Sequence, residues 1–325
     1  MDTAEVYMPI AIDELVSGTL NPVDLFIRLS EGKFIQVAKA NTTLDLSQIK
    51  NYKTKSIEYL YVRKDDFSRI SAQSIQLAGM MIQRNDVAPE KKATYLTKAS
   101  SSVFKRMDHI GLDLEMYHNA QQVTEAVITL VETQSQFAVL FGNLASSNDH
   151  LLNHSVGVSV LSAMIGVELG FQKKATLEKL ALGGLLHDIG LKTLPSGLIK
   201  KSLIEMTNDE AQLYETHPYR GAKVLLGLGS VPDDVIAIVY EHHENAIGQG
   251  YPQRIRDVKM HPLAKIVALA DQFISLTLIG PNCPNPKSAR EALLFIESTL
   301  GLPFNKDAFR ALKRVIEKEP QRKAG

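Results

Sequence analysis

Seven of the chain's nine histidines fall between Asp149 and Asp271, and their placement limits the fold more than any other feature. His150 and His154 stand four apart. His187-Asp188 follows the apolar run 180–186 and precedes Gly190. His217 is followed by Pro218, His242-His243-Glu244 comes after the run 236–240, and Asp271 is a lone acid in the apolar stretch 266–273. A buried carboxylate needs a cation or hydrogen-bond donors. Each of these residues alone has an ordinary reading, as a core histidine or a capping aspartate. Five segments that all offer His or Asp from apolar surroundings point instead to a fold that gathers them.

Imidazole and carboxylate together suit borderline divalent ions such as Fe, Mn, Zn or Ni. His150 and His154, four apart on one helix, project from the same face. His187 and Asp188 are adjacent, so they point about 100° apart and reach one centre only if it lies beyond the helix end. His154, His187, Asp188, His217, His242, His243 and Asp271 outnumber the four to six ligands of one ion. Two ions bridged by a carboxylate fit, with Asp188 as the natural bridge. Such a pair, about 3.5–4 Å apart, suits phosphoryl chemistry: it binds non-bridging oxygens and supplies a bridging hydroxide.

The remainder of the chain narrows the class. Its 325 residues are comfortable for two domains, and 45% hydrophobic with 22% charged residues is ordinary globular composition. Lys+Arg and Asp+Glu are both 36, so the basic excess of a generic nucleic-acid or acidic-membrane binder is missing. Cys283 is the only cysteine, which rules out an intrachain disulfide. The N-terminus lacks a secretory pattern, and the apolar run 156–167 is shorter than the roughly 20 residues a bilayer span needs. A cytoplasmic protein with no membrane insertion and no nucleic-acid polymer as partner is expected.

Periodicity divides the chain into three. Residues 1–66 read as a small α+β domain, for input or interaction with a protein partner. Runs 23–29 and 34–38 flank a turn at Glu31-Gly32-Lys33 and predict a hairpin, 44–53 predicts a short helix, and 59–62 a third main strand. Residues 67–120 read as a helical connector that carries signals or homodimer contacts. From Gln121 to 325 the pattern is all-helical. Val123, Val127, Leu130, Val131, Val139, Leu140 and Leu144 mark the first buried face. Further helices are predicted near 150–169, 175–187, 207–226, 232–242, 259–278, 287–299 and 306–318. Thr207 with Glu210 forms a capping box.

These residues resemble the HD superfamily of metal-dependent phosphohydrolases, and within it the HD-GYP branch, over 121–318. The resemblance rests on the segment 148–156, on Leu185-Leu186-His187-Asp188-Ile189-Gly190, and on Thr216-His217-Pro218 with Gly221. It continues through His242-His243-Glu244, Gly248-Gln249-Gly250-Tyr251-Pro252 and 264–271. It implies a mostly α, HD-type helical bundle behind the small α+β domain and the connector. It also implies a bi- or trinuclear site, usually of iron or manganese, and hydrolysis of cyclic di-GMP or a related cyclic dinucleotide.

Carried over by position, the metal ligands are His154, His187, Asp188, His217, His242, His243 and Asp271, with Asp188 central to catalysis. Trinuclear members have a Glu four residues before the first ligand His; here that position is His150, an optional ligand beside a two-metal site. Tyr251 and Pro252 shape a loop and contact substrate. The departures concern phosphate: the Lys of HDxGK is replaced by Leu191, with Lys192 displaced by one as the nearest substitute. Ile247 replaces the acid before the GYP loop, and no cation follows Asp271 until Lys287. Lost charge-assisted contacts, each about 1.5–3 kcal/mol, leave a weakly active metal-bearing sensor as the alternative.

Overall fold

The computed structural model describes residues 6–12, 15, 19–43, 47, 51–52, 54–55, 57–134 and 149–318. Four strands come first: β1 (Tyr7–Ala11), β2 (Leu25–Ser30), β3 (Lys33–Ala38) and β4 (Tyr59–Arg63). They form an antiparallel sheet in the order β1-β4-β2-β3. The hairpin and the strand near 59–62 are as the alternation predicts. β1 adds a strand that the sequence pattern did not single out. Its Met8 and Ile10 alternate inward and join Leu25, Leu60, Val62 and Phe67 in a small core. Most of the helix expected at 44–53 lies outside the described residues.

The helices are α1 (Phe67–Gln83), α2 (Pro89–His109), α3 (Leu114–Thr133), α4 (His150–Glu168), α5 (Lys174–Leu186), α6 (Ser196–Ile199), α7 (Asn208–Tyr214), α8 (His217–Gly227), α9 (Asp233–Glu241), α10 (Pro262–Thr277), α11 (Ala289–Leu294) and α12 (Lys306–Glu317). Residues of α1, α2 and α3 share one hydrophobic cluster with α4, α5 and α8–α12. The stretch 67–120 is thus packed into the same core as the helices beyond it. Arg106, 5% exposed, ties three helix ends together: its guanidinium donates to Asp113 (3.2 and 2.7 Å) and Ser68 (3.0 Å) and pairs with Glu115 (2.7 Å).

α4 is the central helix. Val158, Val160, Leu161, Ala163 and Ile165 have no exposure, and Ser159 Oγ donates to Ala181 O at 2.7 Å. By length and composition α4 could cross a membrane, but 78% of that window is buried inside the fold. α5 lies close against it because Gly184 has no Cβ; one there would sit 2.9 Å from Ser159 Cα.

Two differences from the predicted helices have local causes. The stretch 207–226 is not continuous: α7 stops at Tyr214 and α8 begins at His217. Pro218 lacks the N–H that would bond the Tyr214 carbonyl, which is 2.8 Å from His217 Nδ1 instead, so the helix ladder breaks at the turn that carries His217. The helix expected from 121 begins two turns earlier, at Leu114, since Asp113 caps α3 by accepting from Met116 N. Val139, Leu140 and Leu144 lie outside the described residues.

Gly190 permits the approach that matters most for the site. It lies in the 3-10 turn Ile189–Thr193 after His187-Asp188. A Cβ there would collide with the His217 carbonyl oxygen and come within 2.7 Å of Gly221 N. Gly190→Ala must push backbone from backbone, at a cost of about 1–3 kcal/mol. It should lower the thermal midpoint by several degrees, whereas Gly197→Ala, which faces open space, should leave it nearly unchanged in the same calorimetric scan.

Candidate metal centre

The structure delivers each candidate ligand from a helix terminus or a buried face. His187 caps the C-terminus of α5, and Asp188 opens the following 3-10 turn. His217 is the first residue of α8, His242 caps α9 with His243 next to it, His154 faces inward from α4, and Asp271 from mid-α10. His187, His217 and His242 are at most 1% exposed, and Asp271 6%.

The ring tautomers follow from the backbone. Nδ1 of His187, His217 and His242 lies 2.8 Å from the carbonyl oxygen three residues earlier, on Gly184, Tyr214 and Val239. Each carbonyl accepts from Nδ1–H, which leaves Nε2 and its lone pair turned inward. There the Nε2 atoms approach one another: His217 Nε2 is 3.2 Å from His242 Nε2, lone pair against lone pair, and His154 Nε2 is 3.1 Å from His187 Nε2. Asp188 Oδ1 is buried without a hydrogen-bond partner. Acceptors that face acceptors in a buried place are stable only around positive charge.

Two groups result: Asp188, His217, His242 and His243, and His154, His187 and Asp271. Within each, the ligand atoms lie within 4.8 Å of one another. Both carboxylates reach across. Asp188 Oδ1 is 3.2 Å from His217 Nε2, while its Oδ2 is 3.3 Å from His187 Nε2. Asp271 Oδ1 is 3.0 Å from His154 Nε2, and its Oδ2 is 3.6 Å from His243 Nδ1. The donor set fits divalent cations, and its division into two overlapping groups fits more than one.

Electrostatics agree with this demand. Burial works against charge on Asp188 and Asp271, yet the surrounding imidazoles hold both carboxyls below the usual range. Burial also opposes charge on His187, but Asp188 and Asp271 override it and push the ring up to about 9. His242 and His243 move the other way, lowered by burial and by neighbouring rings. The carboxylates therefore draw positive charge onto His187, while burial and the neighbouring rings oppose charge on His242 and His243, and a metal ligand must be neutral.

The remaining expected residues fall in different places. Tyr251 lies at the site, its ring 4.6 Å from that of His243 and 6.1 Å from that of His217, with Pro252 beside it in the loop. Lys192 turns away: its ammonium pairs with Asp108 of α2 at 2.6 Å and lies over the Phe104 ring. The displacement by one residue aims it at α2, so the chain's own fold engages the cation expected at phosphate. Leu191 is 3% exposed in a small apolar cluster with Leu194 and Leu198. His150 joins neither ligand group; its Nδ1 lies 3.1 Å from Ile279 O.

Two site residues were not foreseen in these roles. Glu244, 1% exposed, is not partnered to a ligand histidine. Its carboxylate accepts from the backbone amides of Gln253 (2.5 Å), Arg254 (2.9 Å) and Ile255 (3.0 Å). Arg254 has φ of 57°, a conformation costly for a side chain with Cβ, and this grip holds it there. Gly250 completes the loop, since a Cβ would lie 2.5 Å from Glu244 Cα. Tyr214 packs its ring edge-on to His217 at 5.1 Å. Burial, then Asp188 and Asp271, keep its phenol protonated, and burial with Tyr214 does the same for Tyr251. The signal for Tyr214 was its place one turn before His217.

Comparison with known proteins agrees with this geometry. The family model described as HD domain matches residues 139–302. The cyclic di-GMP phosphodiesterase PA4108 of Pseudomonas aeruginosa is 28% identical over 184 residues, 57% of this chain and 44% of that protein. The 3'3'-cGAMP-specific phosphodiesterase 1 of Vibrio cholerae is 27% identical over 226 residues, 69% of this chain and 51% of its own. Ribonuclease Y of Thermosipho melanesiensis is 29% identical over 171 residues, 48% of this chain and 27% of its own. The chain thus spans about half or less of the length of these curated relatives. Among solved structures, Bd1817, a HDG"Y"P protein from Bdellovibrio bacteriovorus, superposes with a TM-score of 0.72 at 20% identity, covering 96% of this chain and 99% of that one. The family model covers half of the sequence, and the chain belongs to the HD domain family.

Proposed function

We propose that the chain is a metal-dependent phosphodiesterase of cyclic dinucleotides, with cyclic di-GMP as the first candidate substrate. The observation that carries this reading is the reach of Asp188, whose two oxygens touch the two ligand groups from opposite sides. His154, His187 and Asp271 would hold one divalent ion, and His217, His242 and His243 a second, with Asp188 shared between them; iron or manganese suits this donor set. Ions so held would polarise a phosphodiester and activate a water nucleophile. The printed names of the relatives from Pseudomonas and Vibrio support the substrate class.

The chain's own side chains account for the rest. The Nδ1–H bonds to backbone carbonyls orient the rings before substrate arrives, which keeps reorganisation small. Tyr251 and Tyr214 remain protonated and present phenolic donors beside the carboxylates, suited to a phosphate oxygen or a base edge. Glu244 fixes the loop that carries Tyr251 and Pro252. Lys192 serves the contact between α2 and the His187-Asp188 turn, so phosphate recognition falls to ions and neutral donors. In this reading residues 1–66 form a cytoplasmic enzyme's input domain for a protein partner, 67–120 a connector with homodimer contacts, and 121–325 the catalytic unit.

The direct test is chromatography of products after metal-loaded protein meets cyclic di-GMP, 3'3'-cGAMP and an RNA oligonucleotide. A linear dinucleotide from a cyclic one is expected; hydrolysis of none of the cyclic substrates with iron or manganese contradicts the reading. Asp188→Ala should lose bound metal by elemental analysis. It should also lose the thermal stabilisation by manganese, about 2.7 kcal/mol at one hundred times Kd for a single site. Glu244→Gln should keep its metal but lower kcat/KM roughly tenfold or more, since one charge-assisted acceptor of three amides is replaced by a mixed donor and acceptor. An unchanged kcat/KM would remove Glu244 from the account.

A further inference from the structure

The loop that follows α10 carries no cation with which to hold a phosphate. Neither it nor the last turn of α10, residues 272–286, contains a Lys or Arg, and the first cation, Lys287, lies 5.0 Å from the Phe295 ring centroid. A loop with cations can be ordered by the anionic ligand it binds; this one must be ordered by protein. Part of that order is internal. Gly280 and Cys283 exchange backbone hydrogen bonds (3.2 and 3.0 Å), and Lys287 N donates to Leu276 O at 2.8 Å. The tip is then tied from two sides. His150 Nδ1 lies 3.1 Å from Ile279 O, and Leu203 N donates to Asn282 Oδ1 at 2.7 Å.

His150 stands one turn before His154 on the same face of α4, so the tie sits at the edge of the metal centre, about 6 Å along the helix from a ligand. Its ring is outside both ligand groups. Exposed apolar side chains accompany the two ties: Ile279, whose carbonyl faces His150, is 60% exposed, and Ile204, next to Leu203, 97%.

We infer that His150 is a positioning residue: its Nδ1–H straps the 278–283 loop, through the Ile279 carbonyl, into a preformed apolar rim of the substrate mouth. The strap does not coordinate metal. It removes the ordering cost that the substrate would otherwise meet on binding a loop without cations. The effect on substrate rests on the phosphodiesterase reading; the effect on the loop does not.

The test is hydrogen–deuterium exchange with mass spectrometry on the metal-loaded chain and its variants. In His150→Ala, amides of 278–283 should exchange roughly threefold to tenfold faster, the span of one net hydrogen bond. The peptide around His187 should be unchanged. His150→Gln, whose side-chain amide can donate to the same carbonyl, should restore much of the protection. Metal content of both variants should equal that of the parent, and with an active preparation KM should rise by a similar factor in His150→Ala while kcat holds. Loss of an ion from His150→Ala would make the residue a ligand and overturn the proposal, as would unchanged exchange in 278–283. Because exchange is read without turnover, an inactive protein with a loosened loop would refute the phosphodiesterase reading and leave the strap standing.

Discussion

Two buried carboxylates surrounded by inward-facing imidazole lone pairs are the constraint on which this architecture depends. Acceptors packed against acceptors repel unless positive charge lies among them, and desolvation makes that repulsion expensive. The fold tolerates the arrangement because each half of it is rigid. Backbone carbonyls of Gly184, Tyr214 and Val239 fix three rings. Gly190 and Gly221 let the His187-Asp188 turn lie against the start of α8. Helix ends supply the ligands, since adjacent residues such as His187 and Asp188 can converge only beyond the end of a cylinder.

The side that the phosphodiesterase reading assigns to substrate carries apolar and neutral groups. Leu191 belongs to a small cluster with Leu194 and Leu198, against which Tyr214 packs. Lys192, one position on, is held by Asp108 and so joins the ligand turn to α2. Ser275 Oγ donates to Asp271 Oδ1 at 3.3 Å, and the phenols of Tyr214 and Tyr251 are kept protonated by their surroundings. In the proposed phosphodiesterase reading, a site of this composition would recognise its substrate through bound cations and directional neutral contacts. That makes affinity less sensitive to salt than a cluster of Lys and Arg would.

Much of this was legible in the sequence because it was written in residue types that rarely occur in apolar runs. His187-Asp188 after 180–186 and Asp271 within 266–273 could be read as inward-facing, and the structure gathers them with His154, His217, His242 and His243. The helices were legible from their apolar spacing, and the 23–38 hairpin from its turn. What escaped depends on contacts distant in sequence. Glu244 looks like a neighbour of ligands, but its partners are amides nine to eleven residues on. β1 has a short alternation that gains meaning only beside β4. Membership of Tyr214 in the site needed the break before His217, and the direction of His150 needed the loop at Ile279, far along the chain.

The central claim is that Asp188 and Asp271 join two ligand groups around at least two cations. A crystal structure of anaerobically purified, manganese- or iron-loaded protein, with anomalous scattering recorded at the edge of that metal, tests it most directly. The account predicts one anomalous peak within the His154, His187 and Asp271 group and another within the His217, His242 and His243 group, with an oxygen of Asp188 bound to each. A single peak, or peaks that leave Asp188 unbound, would contradict it.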